Sequence, residues 1–348
     1  MPHDERFMRR ALELAERGRY STSPNPMVGC VIVRDGAIIG EGFHERAGEP
    51  HAEVNALRAA GDARGATMYV TLEPCSRHGR TPPCVDAIKA AGIARVVAAM
   101  RDPNESGTRD DIEFGILEAD ARKLNEIFVW RATRKLPFVI LKAAMTLDGK
   151  LATVTRESQW ITSEVAREKS LDLREQIDAI MVGSGTVVAD NPRLTRRLNR
   201  NTSITPWTRV VVDANGSVSP HAQLFTDGGR TILFTTTAPD GLAKNVEVIT
   251  MREMDGRLDL ESVLNELHAR GVQSLLVEGG SLLHSDFIRR GLWQKMIVFV
   301  APIVVGGAEA PSIFAGRVMR LTDAHRFRFD RAEFVGSDLM IVAYRMSS

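Results

Sequence analysis

Four residues at expected strand–helix junctions constrain this chain more than any other feature: His51, Glu53, Cys75 and Cys84. His51-Ala52-Glu53 opens an expected helix that runs to about Ala60. Pro74-Cys75 follows an expected strand over Met68–Leu72, and Cys84 opens the next helix behind Pro82-Pro83, since proline suits a first helical turn. One imidazole and two thiols are ligands of the right softness for zinc, and three of them leave a fourth position to water, as in catalytic and not structural zinc sites. Both thiols fall near helix starts, where the positive dipole end favours thiolate.

Glu53, two residues past His51, is placed to move a proton from a water to a departing amine. The His-x-Glu…Pro-Cys…Cys order is the arrangement of zinc-dependent deaminases. Two bland readings compete with it. A closed zinc clip would need a fourth protein ligand, for which His78 is on offer, and would have no use for Glu53. Ordinary surface and core roles for the four residues would make their coincidence accidental. Cys30, in the apolar run around Val31, is most simply a buried small hydrophobe.

Charge narrows the partners. The 348 residues include 45 Lys plus Arg against 44 Asp plus Glu, a balance with no electrostatic footprint for nucleic acid or a membrane surface. No apolar run approaches the roughly 18 residues of a membrane span. The N-terminus mixes acids with bases and reads as a short amphipathic helix, not a signal peptide. Three cysteines do not make a disulfide framework, and a reducing cytoplasm is the simplest compartment.

The length suggests two domains, expected at 1–134 and 135–348. In the first, Phe7, Met8, Ala11, Leu12 and Ala15 recur at helical spacing. Val28–Val33 and Ala37–Gly40 read as strands joined by an Asp35-Gly36 hairpin turn, and Arg95–Met100 as a further strand. In the second, strands are expected at Phe138–Lys142, Ala179–Gly183, Arg209–Asp213, Thr231–Phe234, Ser274–Glu278 and Lys295–Ala301, with two closing strands around His325–Phe329 and Leu339–Tyr344. Helices are expected at Ser163–Arg174, with Ser163 as N-cap, and at about Asp259–Arg270 and Leu282–Gly291. Ala179–Gly183 is expected to feed a turn at Gly183-Ser184-Gly185, and the polar stretch Arg196–Thr208 to be a surface loop.

Base and nucleoside deaminases usually place two residues between their cysteines, whereas here eight intervene. With that insert, Pro24-Asn25-Pro26-Met27-Val28-Gly29, Gly48-Glu49-Pro50-His51-Ala52-Glu53, Thr71-Leu72-Glu73-Pro74-Cys75 and Gly79-Arg80-Thr81-Pro82-Pro83-Cys84 closely resemble the bifunctional riboflavin-biosynthesis deaminase–reductases. The second half continues the resemblance through Leu141-Lys142, Thr146-Leu147-Asp148-Gly149-Lys150, Glu157-Ser158-Gln159-Trp160-Ile161-Thr162, Ala189-Asp190-Asn191-Pro192 and Val277-Glu278-Gly279-Gly280-Ser281.

The resemblance implies an α/β fold: an N-terminal cytidine-deaminase-like three-layer domain followed by a dihydrofolate-reductase-like α/β domain. It implies zinc and NADPH as cofactors. Zinc would be held by His51, Cys75 and Cys84, with Glu53 catalytic. Asn25, His78 and Arg80 would contact a phosphorylated diaminopyrimidine. Ala144, Trp160, Thr186, Asp190, Gly280, Ser281, Leu282, Leu283, His284, Ser285 and Asp286 would line the NADPH site. Ser158, Arg174, Leu194, Arg197 and Glu278 would line the second substrate site. Residue chemistry supports only part of this. A Gly-Gly pair between strand and helix can receive a pyrophosphate on backbone N–H groups, and a loop with two Arg and a His can grip a phosphate. Trp160 could equally be core, Arg174 a helix-end charge, and Asp190 a turn cap.

The implied activity is hydrolytic deamination of 2,5-diamino-6-ribosylamino-4(3H)-pyrimidinone 5′-phosphate, then NADPH reduction of ribosyl to ribityl, giving 5-amino-6-ribitylaminouracil 5′-phosphate. The implied partner is that small molecule, without nucleic acid or membrane, on a homo-oligomer (dimer or tetramer). A nucleic-acid base deaminase, a non-catalytic zinc scaffold, or a deaminase with an inactive reductase domain are the alternatives. The match breaks at Glu105–Gly115, which is shorter than the family pattern, so that a helix and an edge strand are expected to be missing there. Arg77 also stands where the family usually has His.

Overall fold

The computed structural model describes residues 2–78, 82–105, 110–254, 256–315 and 320–346. The chain divides into two compact units, Met1–Lys135 with Arg200–Pro206, and Leu136–Asn199 with Trp207–Ser348.

The first unit runs α1 (Pro2–Ala15), β1 (Gly29–Arg34), β2 (Ala37–Phe43), α2 (Ala52–Ala60), β3 (Thr67–Val70), α3 (Cys84–Ala90), β4 (Arg95–Ala98), β5 (Ile112–Phe114), α4 (Glu118–Leu124) and α5 (Glu126–Thr133). Its sheet has the order β2-β1-β3-β4-β5. β1 is antiparallel to both neighbours, while β3, β4 and β5 are parallel. The β1–β2 turn has positive φ at both Asp35 and Gly36, the conformation that an Asp-Gly hairpin favours. Phe7, Met8, Ala11 and Leu14 of α1 bury against Cys30–Val33 and Met68–Val70.

What sets the height of the helices above this sheet is missing side chains. A Cβ on Gly40 would lie 2.4 Å from the Ala56 carbonyl oxygen, and one on Gly42 would lie 2.4 Å from the Ala56 nitrogen. The α2 backbone therefore rests directly on β2. A Cβ on Gly29 would lie 2.0 Å from the Ala11 oxygen, so α1 meets β1 the same way. The loops after the parallel strands β3 and β4 leave from one side of the sheet, the usual side for a site in a parallel α/β arrangement. They are tied together where the Glu73 N–H donates to Met100 O at 3.0 Å.

Two expectations change here. The shortened segment before Gly115 keeps its edge strand: β5 pairs with β4 from Val96↔Ile112 to Ala98↔Phe114. Three residues are too few to show a period, which is why the strand is hard to read from sequence. The polar stretch after Asn199 is indeed irregular, but residues 200–206 pack within the first unit. The Thr202 N–H donates to Tyr20 O at 2.8 Å, and the Ser23 and Thr205 hydroxyls lie 3.1 Å apart.

The second unit runs β6 (Phe138–Thr146), α6 (Glu164–Gln176), β7 (Ala179–Gly183), α7 (Ser184–Asp190), β8 (Thr208–Asp213), α8 (Gln223–Thr226), β9 (Thr231–Thr235), β10 (Val246–Thr250), β11 (Glu253–Met254), β12 (Arg257–Leu258), α9 (Leu260–Ala269), β13 (Ser274–Val277), α10 (Ser281–Arg290), β14 (Lys295–Ala301), β15 (Phe327–Val335) and β16 (Asp338–Arg345). The main sheet has the order β10-β9-β8-β7-β13-β6-β14-β16-β15. It is parallel from β10 to β14, and β16 and β15 extend it antiparallel. Alternate residues feed separate cores on its two faces: Ala179, Met181, Val210, Ile232 and Phe234 on one, Ile180, Val182, Val211 and Leu233 on the other. That double burial makes the strands read as continuous apolar runs. Ser163 caps α6, accepting from the Ala166 N–H at 3.3 Å.

The expected turn at Gly183-Ser184-Gly185 is instead the start of helix α7. Its glycine and β-branched residues have low helix propensity, and tertiary placement overrides it. β10 at the sheet edge was not expected either.

Replacing Gly42 by Ala is expected to cost about 1–3 kcal/mol through overpacking against α2. Urea unfolding of the variant checks this; an unchanged midpoint would mean that α2 can lift freely from β2.

Candidate active sites

In the first unit, His51 is the N-cap residue of α2, with extended backbone, and Glu53 lies in the first turn. Cys75 follows β3, and Cys84 begins α3. The His51 imidazole nitrogen and the Cys75 and Cys84 sulfurs all lie within 4.8 Å of one another. His51 Nδ1 is 3.2 Å from Cys84 Sγ and 3.6 Å from Cys75 Sγ. The Cys84 N–H donates to Cys75 Sγ at 3.4 Å. The Cys84 thiol and the His51 ring favour thiolate at Cys75 over the cost of burial and bring its pKa down to about 4, while Cys75 and burial push the Cys84 thiol up. Two sulfurs and a nitrogen converging this closely are a donor set that fits zinc.

Glu53 is 3% exposed, and burial raises its carboxyl to about 7, poised to hold or release a proton near neutral pH. It faces a cavity of about 170 Å³ that His51, Cys75, Asn25, His44, Asp102 and Phe128 also line. Asn25 Nδ2 is 3.0 Å from His44 Nε2, and His44 Nδ1 is 3.2 Å from Pro50 O. Glu73 accepts from the Asp102 N–H at 3.2 Å, fixing the turn after β4. His78 is exposed and does not line this cavity. Arg80 lies outside the described residues. Arg77 is exposed and turned to Glu105, 3.5 Å away. Sequence reasoning missed His44, Asp102, Asn104 and Phe128, because no spacing rule links residues from three separate segments.

In the second unit, a cavity of about 810 Å³ lies at the N-termini of α7 and α10. It brings together Ser158, Thr186, Asp190, Gly280, Ser281, Leu282, Leu283 and Asp286. A Cβ on Gly280 would lie 3.4 Å from Thr186 Oγ1, so the two helix starts meet at that point. Clustered helix N-termini, a Gly-Gly pair and a cavity of this size fit a dinucleotide with its pyrophosphate. Arg156, Asn215 and Arg257 also line the cavity, and sequence reasoning missed them. Arg257 is ion-paired with Asp286.

The remaining expected residues do not line that cavity. Ala144 lies within β6 opposite Phe299. Trp160 is 67% exposed, so it is not core, and the Arg167 guanidinium sits 4.6 Å over its ring. His284 is buried with Nε2 3.2 Å from Val277 O, and burial lowers its pKa to about 4. Ser285 Oγ accepts from the Ala315 N–H at 2.8 Å. Leu194 is buried, and its carbonyl accepts from Trp207 Nε1 at 2.9 Å. Arg197 is exposed.

Arg174 and Glu278 form a two-pronged pair, Nε to Oε1 and Nη2 to Oε2, both at 2.8 Å. Arg174 is thus a part-buried ion-pair partner and more than a helix-end charge. Burial opposes ionisation of Glu278, but the charges of Arg174 and Lys142 outweigh it and hold the carboxyl at about 2. Burial lowers Lys142, against the pull of Glu278.

Residues 1–100 match the cytidine and deoxycytidylate deaminase zinc-binding region, and residues 137–341 match the RibD C-terminal domain. The riboflavin biosynthesis protein RibD of Escherichia coli is 42% identical over 97% of this chain and 98% of its own length. An Acinetobacter baumannii RibD structure matches with a TM-score of 0.89 at 36% identity, covering 99% of both chains. The Thermotoga maritima diaminohydroxyphosphoribosylaminopyrimidine deaminase/5-amino-6-(5-phosphoribosylamino)uracil reductase matches with a TM-score of 0.88 at 37% identity, again over 99% of both. The chain belongs to the RibD family.

Family membership makes it a bifunctional deaminase and reductase of riboflavin biosynthesis, with a cytidine-deaminase-like zinc region and a RibD reductase domain. Zinc and NADPH are the cofactors of these two parts, and the donor set and the helix-start cavity fit them. Among the described residues no helix is long and apolar enough to cross a membrane.

The Arg174–Glu278 pair sets a test by acid. Glu278 has its pKa lowered from 4.5 to about 2, so its contribution to stability is present above pH 4.5 and is lost as pH falls through about 2. Between those limits the wild-type unfolding free energy should fall more steeply than that of Glu278→Gln, measured by urea titration at stepped pH. Equal slopes would mean that Glu278 ionises in the native state as it does in the unfolded chain.

Proposed function

We propose that the first unit is the deaminase domain and the second the reductase domain. The substrate is 2,5-diamino-6-ribosylamino-4(3H)-pyrimidinone 5′-phosphate, and the final product is 5-amino-6-ribitylaminouracil 5′-phosphate. The observation that carries this is the buried Glu53 facing the same cavity as His51, Cys75 and Asn25.

His51, Cys75 and Cys84 would hold zinc, which when bound would supply Lewis-acid activation of water near neutral pH. Glu53 takes a proton from the attacking water and delivers one to the amine, so that water and an amino-pyrimidine become a pyrimidinone and ammonia. Its burial, by raising the carboxyl, suits it to both transfers. Asn25 and His44 meet the pyrimidine's polar edge; Asn25, His78 and Arg80 are assigned to substrate from the family motif.

In the second unit NADPH supplies the hydride. The α10 start at Gly280 and Ser281, with Thr186 across from it, would hold the pyrophosphate through N–H and hydroxyl groups. Ala144, Trp160, Asp190, Leu282, Leu283, His284, Ser285 and Asp286 complete the proposed cofactor set. Ser158, Arg174, Leu194, Arg197 and Glu278 are assigned to the ribosyl substrate. There the charge-paired Arg174 keeps a fixed position for the sugar phosphate's approach.

Three free cysteines support a reducing cytoplasm. A homo-oligomer is supported by edge strand β15, where Phe329 and Phe334 are 70% and 81% exposed on a strand that also carries Arg328, Asp330, Arg331 and Glu333.

Incubation with the pyrimidine phosphate should release ammonia with or without NADPH, and NADPH should be consumed only once the deaminated intermediate forms. Glu53→Gln should retain zinc while ammonia release falls by about 10²–10⁴-fold; undiminished release would remove Glu53 from the mechanism. Phe334→Asp should shift the sedimentation coefficient towards a smaller species, and no shift would take β15 out of the interface.

A further inference from the structure

The wall of the deaminase cavity includes a loop that has no regular structure of its own. Asn25, Pro26 and Val28 line the cavity, and Met27 between them does not. Residues 22–28 form no strand; the Asn25 N–H donates to Thr22 O at 2.7 Å and Val28 O accepts from the His44 N–H at 2.9 Å, while the peptide groups of Met27 between them are held from outside the loop.

One side chain grips it at both peptide groups of Met27. Asn125 Oδ1 accepts from the Met27 N–H at 2.8 Å, and Asn125 Nδ2 donates to the Met27 carbonyl at 2.8 Å. The carboxamide thus acts as a piece of sheet backbone, pairing with one residue as a neighbouring strand would. Asn125 is 3% exposed and sits between α4 and α5. Its own N–H donates to Ala121 O at 3.1 Å, and its carbonyl accepts from the Val129 N–H at 2.9 Å. Both ends of the residue are therefore anchored in helix, and the side chain has no freedom to follow the loop. One turn later, Phe128 lines the same cavity.

We propose that Asn125 is a positioning residue for deaminase substrate binding. It acts through the Met27 backbone to hold Asn25 and Pro26 in the cavity wall, and it touches neither substrate nor zinc. No side chain other than a carboxamide of this length offers an acceptor and a donor at the spacing of one peptide unit without carrying charge into a buried position. The inference rests on reading this cavity as the pyrimidine phosphate site.

The test is steady-state deamination by the full-length zinc enzyme with Asn125→Ala and the volume-conserving Asn125→Leu. Losing two part-buried hydrogen bonds to the loop should raise KM about tenfold or more while kcat changes by no more than about threefold. Zinc content and NADPH consumption with the deaminated intermediate should stay at wild-type levels. Amide exchange at Met27 should quicken in both variants. On an Asn25→Ala background, Asn125→Ala should add little to KM, because the two residues act through one contact.

A purely structural Asn125 would lower the unfolding midpoint and leave KM within about twofold, which overturns the proposal. Additive KM effects in the Asn25 pair overturn it as well. Should the wild-type enzyme release no ammonia from the pyrimidine phosphate, the reading of the cavity fails. Met27 exchange in the two variants then still decides whether Asn125 holds the loop, with unchanged exchange overturning that claim. Should both variants fail to fold, Asn125→Asp, which keeps the acceptor for the Met27 N–H, gives the same KM comparison.

Discussion

The deaminase unit depends on the contact of helix α2 with strand β2 without side chains between them. Gly40 and Gly42 leave no room for a Cβ against Ala56. Helix and sheet usually stand apart by the thickness of their side chains, and here that spacer is removed. The result is a helix start held against rigid backbone, so that His51 and the buried Glu53 are presented at a fixed height over the loops that carry Cys75 and Cys84. Zinc affinity requires ligands placed to within a few tenths of an ångström, which a helix resting on flexible side chains would supply less well.

The two sites handle buried charge in opposite ways. For Glu53 burial is the largest influence, and it lifts the carboxyl into the neutral range against the opposing pull of the His51 ring. Glu278, part-buried and paired with Arg174 within the charge of Lys142, stays ionised to about pH 2. One carboxyl is thereby suited to moving protons and the other to holding a fixed negative charge. The same residue type ionises in two different ranges, and its neighbours decide which.

Much of this was legible in the sequence. The zinc donors and Glu53 stand out because they recur at strand–helix junctions in a fixed order. Strands such as Ala179–Gly183 and Lys295–Ala301 read correctly because burial on both faces leaves unbroken apolar runs. Less legible were elements too short or too poor in propensity to show a period, among them β5, β10 and α7. The cavity walls were least legible. His44, Asp102 and Phe128 converge from separate segments, and Asn125 acts through another residue's backbone, which leaves no spacing to detect. His78, whose motif suggests a substrate contact, points to solvent, and Trp160, plausible as core, is exposed.

Residues 200–206 bear on how such a chain could have been assembled. They belong in sequence to the stretch between β7 and β8, yet they pack within the deaminase unit through Thr202 and Thr205. The polypeptide therefore crosses between the two units three times, after Lys135, after Asn199 and after Pro206. Splitting the gene at the first crossing would strip the deaminase of a packed segment and leave the reductase with an orphaned loop. A single cut in this chain therefore does not return its two compact units intact.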